Sequence, residues 1–132
     1  MDDLSRRPGK TRSLFVQGAD VPVIAMQALE GQGGISGRVE VQPMMTGDDM
    51  LMVQFFQEAG VAIPEHTHHD HESIVYLIRG RMQLAIDDAV FVAGPGDVWR
   101  HPVGVPHSSL ALEDCVAVEV KSPPRQTWNP PG

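Results

Sequence analysis

The chain has 132 residues, room for one domain around one core, and 42% of them are apolar. Its formal net charge of -7 argues against a nucleic-acid backbone as partner. Cys115 is the only cysteine, so no intrachain disulfide forms. No apolar run is long enough for a signal peptide or a membrane span, so neither nucleic acid nor membrane is expected as a partner and a cytoplasmic location is the default.

Residues 1–13 are polar and without periodicity, which predicts a loose N-terminal arm ahead of a single domain, 14–132, whose core runs from about 38 to 122. Leu14 to Leu29 mixes apolar residues with Pro22 and predicts a short strand at a sheet edge, with Val21 to Ala28 as a contributor to a dimer contact. Arg38 to Gln42 alternates polar and apolar, and Met50 to Gln57 is a strongly apolar strand. Ile74 to Ile78 reads as buried. Met82 to Ile86 and Val90 to Val92 flank a hairpin turn at Asp87-Asp88. A turn at Gly94 to Asp97 leads to Val98-Trp99, and Ser108 to Leu112 and Cys115 to Val120 are the last strands before the prolines at 123–124 and 130–131. Many short strands with no helical pattern predict an all-β sandwich or barrel. Met44, Met45, Met50 and Met52 read as core filler, Trp99 as core, and Tyr76 as sheet packing on the face opposite Ser73.

Between Gly60 and Gly80 lie four of the six histidines, His66, His68, His69 and His71, with Asp70 and Glu72. A divalent metal needs several lone pairs converging on one point, and imidazole and carboxylate supply them. His66 and His68 sit two apart, so on an extended backbone both project from one face. His69 and Asp70 read as solvated turn residues. A second stretch, Gly96 to His107, adds His101, read as a rim or packing residue, and His107.

Together the two stretches resemble the two motifs of the cupin superfamily. Gly60, His66 and His68 match the first motif, and Gly96, Pro102, Gly104 and His107 match the second, with Ala111 where the family's asparagine stands. The resemblance covers roughly residues 40–122. It implies a jelly-roll (double-stranded β-helix) barrel holding one divalent transition metal on His66, His68 and His107, with iron, nickel, manganese and zinc equally suited. Counting forward from His68 makes Glu72 the fourth ligand; counting back from Gly80 reaches Ser73, and His71 and water are the other candidates. Barrels of this kind leave edge strands that pairing covers, so a homodimer is expected.

The run Glu119-Val-Lys-Ser-Pro-Pro-Arg125 resembles the Asp-x-Phe-Ser-Pro-Pro-Arg run of pectin-degradation cupins, which convert unsaturated uronates to linear keto sugars. There the acid, the aromatic and the arginine face the metal pocket. The resemblance implies that Arg125 anchors a small anionic substrate by its carboxylate and that Glu119 shuttles a proton, with Lys121 in place of the phenylalanine. A metal-dependent oxygenase on the same barrel and a non-enzymatic sensing module are the alternatives.

Overall fold

The computed structural model describes residues 6–29 and 34–129. Ten strands follow one another along the chain: β1 (Ile24–Ala25), β2 (Val39–Thr46), β3 (Leu51–Gln57), β4 (Ala62–His66), β5 (Glu72–Arg79), β6 (Met82–Ile86), β7 (Ala89–Ala93), β8 (Val98–His101), β9 (His107–Ala111) and β10 (Cys115–Ser122). They form two antiparallel sheets, in the orders β1-β2-β3-β10-β5-β8 and β4-β9-β6-β7, that face each other as a jelly-roll barrel. Helix among the described residues is confined to short 3-10 turns such as Gly18–Asp20. None is long and apolar enough to cross a membrane.

Side-chain alternation decides what each strand contributes. On β5, Ser73, Val75 and Leu77 turn inward and are buried, while Ile74, Tyr76 and Ile78 are nearly half exposed on the outer face. The same rule corrects the methionines: Met52 lies between buried Leu51 and Val53 on β3 and so faces out, and Met50 is also exposed. The interior falls into two apolar clusters, one around Leu51, Val53 and Trp128 and the other around Val75, Leu77 and Met82. The hairpin between β6 and β7 turns at Asp87-Asp88 as expected, with Asp87 at φ 54°.

Two residues of the N-terminal segment make long-range contacts. Arg6 is buried, its carbonyl accepts from the Gln126 N–H, and Thr11 exchanges hydrogen bonds with Thr46. β1 ends the six-stranded sheet and pairs with β2, with Ile24 opposite Val41. Asn129 then holds this region to the chain's other end, its Oδ1 accepting from the N–H groups of Gln27 and Ala28 and its Nδ2 donating to Ala25.

Candidate metal centre

The register of two strands creates the site. His66 closes β4 and His107 opens β9, and the two are direct cross-strand partners. His68 follows on the loop after β4. All three are buried, and their ligand atoms lie within 4.8 Å of one another.

Backbone carbonyls set the tautomers. His66 Nδ1 lies 2.7 Å from the Pro64 carbonyl and His107 Nδ1 lies 3.1 Å from that of Val105. A carbonyl only accepts, so each Nδ1 carries the proton and each Nε2 keeps its lone pair. His107 Nε2 is buried with no hydrogen-bond partner among the described residues. Burial pushes the pKa of all three imidazoles down, that of His107 to about 3, so each is neutral at ordinary pH. Three neutral, desolvated imidazoles, two of them with the tautomer set by a backbone carbonyl, are what a divalent transition metal requires, and the residues fit such an ion.

Glu72, expected as a fourth ligand, stands elsewhere. It is exposed at the start of β5, with buried His71 and Ser73 on either side, so its carboxylate is on the outside of the wall. Ser73 takes the inward place, opposite Lys121 in the register with β10. His71 is buried beside His68, ring centroids 4.4 Å apart, but outside the converging group. Its Nδ1 lies 2.8 Å from Asp70 Oδ1.

Asp70 is not a solvated turn residue either. Its Oδ2 accepts from Arg6 Nη1 at 3.0 Å and from Arg125 Nε at 3.1 Å. Arg125 is fully buried, also donates from Nη1 to the Pro124 carbonyl at 2.7 Å, and is not among the residues lining the central cavity. A desolvated guanidinium needs a countercharge close by, and Asp70 provides it. The anchoring of a substrate carboxylate expected of Arg125 has no geometric basis in this arrangement.

Glu119 does face the cavity. Burial raises its pKa, but the Lys121 ammonium, 3.3 Å away, and hydrogen bonds from His101 and Ser73 outweigh that and hold it well below the usual carboxylate range. His101 lies deeper than a rim residue: its ring stacks on His107 at 3.7 Å and its Nδ1 lies 3.1 Å from Ser73 Oγ. Lys121, at the aromatic's place in the resembled motif, is buried and lines the same cavity. The cavity, about 70 Å³, is polar around the histidines and apolar toward Leu29, Phe55 and Trp128.

A cupin-domain family profile matches residues 52–120, and the chain belongs to the cupin superfamily. It is 30% identical over 88 residues to the oxalate decarboxylase OxdC of Bacillus subtilis, an alignment covering 63% of this chain; the chain spans only 23% of that relative's length. Among solved structures it resembles KdgF from Halomonas sp. (TM-score 0.64, 24% identity, 66% of this chain and 80% of that one). It also resembles an RmlC-like cupin from Shewanella frigidimarina (TM-score 0.71, 18% identity, 87% and 95%). These likenesses bear out the all-β cupin barrel read from the motifs.

Proposed function

We propose that the protein is a metal-dependent enzyme acting on a small carboxylic acid, with ring opening or keto–enol conversion of an unsaturated uronate as the sugar-acid form of that chemistry. One observation carries the reading: three neutral imidazoles and an ionised carboxylate, Glu119, converge on one cavity. A metal held by His66, His68 and His107 supplies Lewis-acid polarisation of a substrate oxygen. Glu119 then has a defined task, to accept a proton from the carbon α to that polarised carbonyl and return it elsewhere on the substrate. Lys121, His101 and Ser73 keep it ionised and oriented for that. Trp99 and the apolar wall exclude water from the reacting carbon.

A second reading, action on an acid more compact than a uronate, is favoured by the cavity itself. That cavity is small, about 70 Å³. The curated relative is an oxalate decarboxylase, which agrees with a compact acid. The test is metal analysis of untagged protein, then NMR of metal-loaded protein with unsaturated galacturonate and with oxalate. Conversion of either, abolished in His107→Ala, supports an enzyme; a fully metal-loaded protein inert toward both counts against it.

A further inference from the structure

A buried ammonium beside a cationic metal site is unfavourable unless something negative joins the two. Lys121 is only 3% exposed, lines the cavity that the three histidines line, and faces Ser73 across the β5–β10 register. Its ammonium and the Glu119 carboxylate, 3.3 Å apart, cancel. A divalent ion on three neutral imidazoles would therefore leave two positive charges in a buried space. No other carboxylate among the described cavity-lining residues offsets them. Glu72 is on the outer face, Ser73 is uncharged, and Asp70 is engaged by Arg6 and Arg125.

The missing charge is thus left to the ligand, and the cavity limits its size. A dianion neutralises the metal-loaded site, and a volume of about 70 Å³ favours a short one. The ammonium has three N–H donors and Glu119 engages one direction of it, so another can reach a ligand oxygen. Arg125, turned to Asp70, leaves Lys121 as the cation that shares the cavity with the histidines.

We propose that Lys121 is a specificity-determining residue, holding one carboxylate of a compact dicarboxylate whose other carboxylate binds at His66, His68 and His107. The assignment rests on the carboxylic-acid reading above and narrows it to short dianions. Lys121 would sort substrates by charge, while Glu119 beside it handles the proton.

The experiment uses cobalt(II)-loaded protein, whose visible spectrum reports ligands arriving at the histidines, titrated with malonate, acetate and galacturonate. Wild-type protein is expected to bind malonate at least tenfold more tightly than either monoanion. Lys121→Met, at equal cobalt content, is expected to lose at least tenfold in malonate affinity with acetate unchanged, and Lys121→Arg to recover part of it. Because Lys121→Met leaves Glu119 buried and uncompensated, Lys121→Met with Glu119→Gln provides a charge-neutral second variant with the same expected loss. Either variant binding malonate as tightly as wild type overturns the role of Lys121 while leaving carboxylate binding at the histidines standing. Galacturonate binding more tightly than malonate overturns the compact dianion. A cobalt-loaded wild type whose spectrum answers to none of the three acids overturns the carboxylic-acid reading itself.

Discussion

His107 shows how much chemistry one side chain takes from its surroundings. The Val105 carbonyl fixes its Nδ1 proton, β9 aims its Nε2 inward, and burial keeps it neutral. His107→Ala should therefore lower metal affinity by well over tenfold yet leave the β-rich circular dichroism spectrum intact, since the core clusters are elsewhere. Retained stoichiometric metal, measured by mass spectrometry, would show that it is not a ligand. Glu119→Gln should reduce kcat by about a hundredfold or more with KM little changed, because a proton shuttle acts in the transition state. The same imidazoles give the metal-free protein a pH dependence. His107 titrates at about 3 and His71 at about 4 in the folded chain, both lowered by burial, against about 6.5 unfolded. Between those values the unfolded chain binds more protons, so stability must fall as pH drops below about 6.5 and level off below about 3 for these two groups. Thermal melts of metal-free protein should show Tm decreasing from about pH 7 to about pH 4; a flat Tm across that window would mean that the imidazoles are solvated.

At the scale of elements, period-two alternation and motif spacing made the strands and the three histidines readable, because both signals are local. What was not local was lost. Whether residue 72 or 73 turns inward depends on the loop between His68 and β5, and its length let two counts disagree. Gly80 resolves them: at φ 96° it demands glycine, and a Cβ there would lie 2.9 Å from Cys115 Cα and closer still to the Asp114 carbonyl. With Gly80 fixed against β10, counting back places Ser73 inside. Arg125 was misplaced for a similar reason, since its partner Asp70 is 55 residues away and nothing in the run around 119–125 announces it. Lys121 was legible only as a departure from the resembled motif, and its burial against Glu119 gave that departure a meaning. Gly80→Ala should destabilise the fold by about 2 kcal/mol or more, and Leu77→Ala, wholly buried in the second cluster, by about 2–5 kcal/mol. Urea melts with unchanged m-values would measure both, and a loss under about 0.5 kcal/mol for Leu77→Ala would show that the cluster is loosely packed.

For the whole molecule, the outer face of the six-stranded sheet is the feature a lone barrel leaves unexplained. Met52, Ile74, Tyr76, Ile78 and Val98 are 43–60% exposed there, and the register brings them together: Tyr76 pairs with Val98, and Val120 lies between Met52 and Ile74. Contiguous apolar surface of this kind marks a contact site more often than scattered exposed residues do. For the dimer expected from the sequence we propose this face as a contact, besides the Val21 to Ala28 segment. β1 pairs with β2 on one side and ends the sheet on the other, Val21 and Met26 are buried, and Asn129 bonds to Ala25, Gln27 and Ala28 beside it. An isologous contact through the β5 face would cover Ile74 and Tyr76 of both copies around a two-fold axis, on the sheet opposite the one that carries His66 and His107. Light scattering at micromolar concentration should give twice the chain mass of 14.4 kDa, and Tyr76→Lys should halve it without changing metal content. A wild-type monomer under those conditions would contradict the dimer. A dimer that survives both Ile74→Lys and Tyr76→Lys would place the contact on another surface, and the apolar edge strand β7, with Val90, Phe91 and Val92 exposed, would then be the surface to substitute next.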